Sequence, residues 1–290
     1  MRSIWFRTSF GALALALAAI IQCKSAASQT GSSVEPFRII GNVYYVGGAD
    51  VTSFLILTPA GDILIDGGYV STAPLIEQNI RRLGFRLRAV KILLNTHAHF
   101  DHAGGLARLK RDTGAKFEAM AQDAPLLDHG GRGDFYFGDR LPFPPVHVDR
   151  ILQDGDLVSL GGVTLRANLT AGHTKGCTTW TWTVRQNGRE YHVVDVCSAS
   201  VLPGYRLIGN PQYPQIARDY ERSFQRLNAL PCDVFLGAHG GFFSMQRKLE
   251  DLRKDSRRNP FIDREGYRRF VLEQESLFEQ RLKSEDNKGR

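Results

Sequence analysis

The chain has 290 residues, 42% of them hydrophobic, and 29 glycines, which with frequent turn signals excludes an all-helical protein. The net charge of +7 includes Arg2, Arg7 and Lys24, and the remaining +4 is a mild excess. The late basic residues, among them Arg247-Lys248, Arg253-Lys254 and Arg257-Arg258, are interleaved with acids and lack an aromatic stripe. They read as a solvated helical face, so no nucleic-acid partner is expected.

Residues 1–27 read as a signal peptide. Arg2 and Arg7 form a charged start, and the apolar run 8–21, about 14 residues, is too short to span a bilayer. Ser25, Ala26 and Ala27 offer a cleavage site, which starts the mature chain near Ser28. Cys23 follows the bulky Ile20-Ile21-Gln22, which does not fit a lipid-attachment site, so no stable membrane anchor is expected. The remaining 28–290, roughly 260 residues, suits a single domain made of two sheet-and-helix halves.

Strand-like stretches follow at 42–46, 52–57, 62–66 and 90–94. Between the last two, Ser71 can cap a helix running through Leu75, Ile76, Ile80 and Leu83 to Gly84. A helix over 105–111 and a strand over 116–120 continue the α/β alternation. Extended segments at 158–160, 163–169, 178–184 and 191–196 come next, and Asn187-Gly188 marks a hairpin turn. Ile216, Tyr220, Phe224 and Leu227 fit one helical face, 233–236 a buried strand, and 267–282 a terminal amphipathic helix. With two sheets face to face and helices outside, the strand ends meet along one edge, where the functional groups should lie.

The sharpest local pattern is Thr96-His97-Ala98-His99-Phe100-Asp101-His102-Ala103-Gly104-Gly105, directly after an apolar strand. His97 and His99, two apart on an extended segment, share a face and can share a metal. Asp101 and His102 fall where the chain turns into the next helix and can be aimed at a neighbouring position. His173 and His239 each end an extended segment beside glycine. Four such groups crowded into six residues are costly to hold together without a cation among them. Six ligands divide into two sets of three: His97, His99 and His173 for one zinc, Asp101, His102 and His239 for the other. Asp66, after Ile63-Leu64-Ile65, is placed to accept a proton from a ligand imidazole, or else to bond nearby backbone N–H groups.

At this point the chain resembles the metallo-β-lactamase superfamily, and more narrowly its subclass B3. The resemblance rests on residues 96–102, on Gly172-His173-Thr174-Lys175-Gly176-Cys177-Thr178-Thr179-Trp180, on Leu236-Gly237-Ala238-His239, on Pro203-Gly204-Tyr205 and on Asn259-Pro260-Phe261-Ile262-Asp263. It implies an αββα sandwich of two mixed sheets flanked by helices, with two zinc ions in an edge cleft. It also implies hydrolysis of the β-lactam amide of penicillins, cephalosporins and carbapenems by a zinc-bound hydroxide, in the periplasm; a monomer is assumed. The alternative is a zinc hydrolase of the same fold acting on lactones or thioesters. Many relatives carry a metal-bridging aspartate where this chain has Ser198. Asp195 lies three residues earlier and on a strand faces the other way. Cys197 is one residue from the place of a zinc-ligating cysteine in subclass B1.

By the same resemblance, Ser198 and Ser200 lie near the substrate carboxylate, and Phe137, in the glycine-bounded loop 131–138, borders the cleft and touches substrate side groups. Some B3 relatives carry cysteines at both places corresponding to Cys177 and Cys197, and export favours a disulfide between them. The hairpin supports their proximity without fixing its register: a three-residue connection pairs 177 with 197, and a two-residue turn misses by one. Two separate buried thiols are the alternative. Cys232 should be an unpaired, buried thiol, because the cysteine that partners its counterpart in other B3 enzymes is replaced here by Tyr267.

Overall fold

The computed structural model describes residues 33–289, so the predicted leader 1–27 lies outside the described residues. The fold is the expected αββα sandwich. The first sheet has seven strands in chain order: β1 (Phe37–Ile40), β2 (Val43–Tyr45), β3 (Phe54–Thr58), β4 (Gly61–Ile65), β5 (Val90–Leu94), β6 (Lys116–Met120) and β7 (Arg150–Leu152). β1 to β4 run antiparallel to their neighbours, and β4 to β7 are parallel. The second sheet is ordered β12 (Val234–Gly237), β11 (Arg189–Val196), β10 (Thr178–Gln186), β9 (Val163–Leu169) and β8 (Leu157–Leu160). Only its β11–β12 pair is parallel.

The period of two along each strand separates the cores. Ile63, Ile65, Ile92 and Leu94 face the other sheet and meet Trp180, Val194 and Phe235. The alternate residues Leu64 and Leu93 face outward, where α1 (Ala73–Arg82) contributes Ile76 and Ile80 and α3 (Leu106–Thr113) contributes Leu106 and Leu109. A one-turn helix α2 (Phe100–Ala103) precedes α3, and α4 (Ala124–Asp128) follows β6. On the opposite face, Tyr220 of α5 (Ile216–Ala229) stacks on Phe278 of α7 (Arg264–Gly289), ring centres 5.3 Å apart. Between them in sequence is α6 (Met245–Lys254). Among the described residues no helix is long and apolar enough to cross a membrane.

The Asn187-Gly188 hairpin turn forms as expected and is the two-residue kind, with Gln186 opposite Arg189 and Trp180 opposite Asp195. Two local expectations are corrected. The cap of α1 is Thr72 rather than Ser71, with no side-chain cap bond, and Pro74 sets the first turn. Lys248 is buried rather than solvated: its Nζ lies 2.8 Å from Asp263 and within 6.0 Å of the Phe235, Phe243 and Phe261 rings.

Candidate metal centre

The segment after β5 leaves the sheet with its histidines buried, and two carboxylates hold it in place. Asp66, just past β4 and in a left-handed conformation at φ 62°, accepts bonds from Asn95 Nδ2 (2.8 Å), Thr96 N (2.7 Å) and Thr96 Oγ1 (2.6 Å), and lies 3.2 Å from His102 Nδ1. It therefore bonds local backbone and also lies within hydrogen-bond reach of an imidazole nitrogen. Asp123, which no sequence motif marks, accepts from Ala98 N (2.9 Å), Thr174 Oγ1 (2.8 Å) and Gly176 N (2.7 Å). That carboxylate ties the His97–His99 segment to the His173 segment across the two halves. Gly105 is required by close approach: a Cβ there would run into the Gly67 carbonyl oxygen.

His173 arrives from the end of β9. Its Nδ1 is 2.9 Å from the Ser200 carbonyl, and its own carbonyl accepts from the buried Tyr205 hydroxyl at 2.7 Å. Gly172, at φ 139°, leaves no room for a Cβ, which would lie 2.7 Å from the Tyr220 ring. His239 follows β12, with Nδ1 3.5 Å from Asp50 Oδ1, and the Gly240 N–H bonds the Asp50 carbonyl at 2.7 Å.

These supports bring all six predicted ligands together. One nitrogen from each of His97, His99 and His173 lies within 4.8 Å of the others, and ligand atoms of His97, Asp101 and His102 meet the same limit. His239 Nε2 joins the second group, 3.2 Å from His102 Nε2 and 3.7 Å from Asp101 Oδ2. The electrostatics fit a cation. Burial and then the neighbouring imidazoles hold His97 well below its usual pKa, and the same causes take His173 down to about 3, so both are neutral and able to ligate. Burial opposes a charge on His102, yet Asp101 and Asp66 override it and push His102 up to about 10. A positive charge is thus favoured where Asp101, His102 and His239 converge. The sharpest fit is at His97: its Nδ1 sits 3.1 Å from Thr96 Oγ1, while its Nε2 is buried with no hydrogen-bond partner, a state a metal ion relieves.

Of the predicted substrate-facing groups, Phe137 and Ser200 line a cavity at the same edge, whereas Ser198 is buried behind it. A cavity of about 490 Å³ opens over the imidazoles, with Phe137, Leu202 and Phe242 as apolar walls and Ser200 at its rim. The Phe137 ring packs edge-on against His99 at 5.1 Å, and the Ser198 and Ser200 hydroxyls are 3.0 Å apart. Cys177 and Cys197 form a disulfide, so Cys197 is no thiolate ligand, although both sulfurs lie within 4.8 Å of a His97 nitrogen. Cys232 is free and half-buried, and burial, then Asp233, raise its thiol pKa. Asp195 is fully buried, on the strand pairing with Trp180 and Leu236.

A metallo-β-lactamase superfamily model matches residues 46–185. The native FEZ-1 metallo-β-lactamase of Legionella gormanii superposes with a TM-score of 0.87 at 42% identity, covering 88% of this chain and 98% of that one. The chain belongs to the metallo-β-lactamase superfamily. Within it, BJP-1, a subclass B3 metallo-β-lactamase of Bradyrhizobium japonicum, matches with a TM-score of 0.84 at 36% identity over 91% of this chain and 100% of that one. Curated superfamily relatives are more distant or matched over less of their length. A Burkholderia pseudomallei protein named probable metallo-hydrolase is 33% identical over 104 residues, so that this chain spans 35% of its length and the match takes in 36% of this chain. The acyl-coenzyme A thioesterase MBLAC2 of Gallus gallus is 28% identical over 240 residues, 70% of this chain and 77% of that protein.

Proposed function

We propose that this superfamily member is a two-zinc β-lactamase of subclass B3 type, exported to the periplasm, that opens the amide of penicillins, cephalosporins and carbapenems. The observation that carries this reading is the buried His97–His99–His173 cluster beside Asp101, His102 and His239, under a cavity of about 490 Å³ in a chain 42% identical to a metallo-β-lactamase along nearly its whole length. His97, His99 and His173 would hold one ion, and Asp101, His102 and His239 the other. Zinc held there supplies Lewis acidity toward a carbonyl oxygen and lowers the pKa of water.

The remaining work falls to the chain itself. Asp101 offsets the charge gathered in the site and serves as ligand rather than as free base. Asp66 and the Ser200 carbonyl fix the ring orientation of His102 and His173. The Ser198 and Ser200 hydroxyls are neutral donors for a substrate carboxylate, which they orient more than they attract. Phe137, Leu202 and Phe242 shield the scissile bond from bulk water and meet substrate side groups.

Thioester or lactone cleavage is the second reading, raised by the thioesterase relative, and it is less favoured because that relative is more distant than the lactamases. Purified protein should open nitrocefin and a carbapenem, and a chelator should stop it. Rapid cleavage of an acyl-coenzyme A or a lactone without β-lactam turnover would reverse the choice.

A further inference from the structure

Asp134 is a buried carboxylate that neither the ligand set nor the substrate-facing groups account for. Its Oδ1 accepts the N–H groups of Tyr136 (2.8 Å) and Phe137 (2.6 Å), and its carbonyl accepts the Gly138 N–H at 2.9 Å, so it shapes the turn that carries Phe137. Its Oδ2 takes no part in that turn. Oδ2 is buried without a hydrogen-bond partner and lies 3.8 Å from His99 Nε2, itself buried without a partner. A buried polar group left unsatisfied destabilises the fold, and a contact between these two satisfies both. The gap is about 0.6 Å beyond the ordinary range for N–H···O.

The other four imidazoles show what is missing. Each turns its Nδ1 toward an oxygen: His97 toward Thr96 Oγ1, His102 toward Asp66, His173 toward the Ser200 carbonyl and His239 toward Asp50. His99 lacks such a partner at Nδ1 and instead faces a carboxylate with Nε2.

Resting on the metal-centre reading above, we propose that Asp134 is the positioning residue for His99, accepting a hydrogen bond from Nε2–H and leaving Nδ1 as the nitrogen presented to a metal. One carboxylate then couples the orientation of a ligand, through Oδ2, to the placement of the cleft wall at Phe137, through Oδ1.

Asp134→Asn isolates the contact. An amide keeps one oxygen for the Tyr136 and Phe137 N–H groups but puts an NH2 where Oδ2 was, and an NH2 cannot accept. Competition with a chromogenic chelator should show the three-histidine site weakened about 10–100-fold. The second ion should keep its affinity, and the spectrum of the cobalt-substituted protein should change. Wild-type affinity for both ions in Asp134→Asn overturns the proposal. So does an equal loss in Phe137→Ala, which removes the ring but not the carboxylate and would assign the effect to loop packing. Should Asp134→Asn not fold, long-range proton–nitrogen correlation on the zinc-loaded wild-type protein decides: a proton on Nε2 of His99 is expected, and one on Nδ1 overturns it. Wild-type protein that binds zinc while Asp134→Asn behaves identically leaves the metal reading standing; wild-type protein that takes up no zinc removes both.

Discussion

His173 and Asp101 test the two halves of the ligand set separately. The His173 backbone is held by the Tyr205 hydroxyl and by the segment that Asp123 anchors, so His173→Ala should fold normally while losing one corner of the three-histidine cluster. Elemental analysis after dialysis should then find about one zinc rather than two. Turnover should fall by at least about 100-fold, since removing mere supporting partners of ligands already costs 10–100-fold. Two tightly held ions in that variant would contradict the assignment. Asp101→Asn keeps the shape but removes the charge beside His102 (3.3 Å) and His239 (3.7 Å). Its loss should appear at limiting zinc and be partly recovered by added metal. Undiminished activity at limiting zinc would mean that the carboxylate has another role.

Among the secondary-structure elements, Asp233 joins three. Leading into β12, it accepts from His192 N of β11 at 2.8 Å and from Arg264 Nε at the start of α7 at 2.6 Å. Burial works against its charge, but the His192 N–H and the Arg264 guanidinium prevail and lower its pKa. A carboxylate lowered in the folded state contributes stability above its unfolded pKa, about 3.9, and loses it as the pH falls through the folded value. Asp233→Asn should therefore melt lower than wild type at pH 7, by the equivalent of about 1–2 kcal/mol, with the gap closing below about pH 4. A gap unchanged between pH 7 and pH 3 would show that charge is not its cause. The strands legible in the sequence share one property: each holds several buried residues within a stretch bounded by turns. Strands 90–94, 116–120 and 163–169 match residue for residue because apolar runs sit between turn signals. β1 and β7 were not legible, being four and three residues long, and Arg38 in the one and the exposed Arg150 and Ile151 in the other leave no alternation to read. α6 was read as a helical face but as a solvated one, because Lys248, which is buried, stands between Met245 and Leu249 in its apolar stripe. The six histidine and aspartate residues proposed as ligands stood out in the sequence by local crowding and strand-end position, and the fold brings them together. Asp123, Asp134 and Asp50 did not stand out, because their partners lie 25 to 53 residues away at Asp123, 35 at Asp134 and far along the chain at Asp50, and such distances leave no spacing to detect.

Across the whole molecule, the disulfide and the site both join parts that the fold keeps close. Cys177 and Cys197 are bonded at a sequence separation of 20 with Cα atoms 5.9 Å apart, at the base of the hairpin between His173 and Ser198. Closing a loop of that size is worth about 3 kcal/mol against unfolding. The doubly substituted Cys177→Ala/Cys197→Ala protein should melt correspondingly lower, and non-reducing peptide mapping of the wild type should find those two cysteines linked and Cys232 alone. Equal melting temperatures would show that the bridge does not stabilise the fold. Each proposed ligand set also draws on both halves: two groups from the 97–102 segment, and one from beyond β9 or β12. An ion bound there is a fastener between the halves as well as a reagent, and binding only the folded form would add about 4 kcal/mol at a free concentration of 1,000 times Kd. Scarcity of zinc would then act on supply as well as on rate. Chains emptied of metal would unfold more often and meet proteases sooner, so a cell starved of zinc would hold fewer copies of the protein and not merely idle ones.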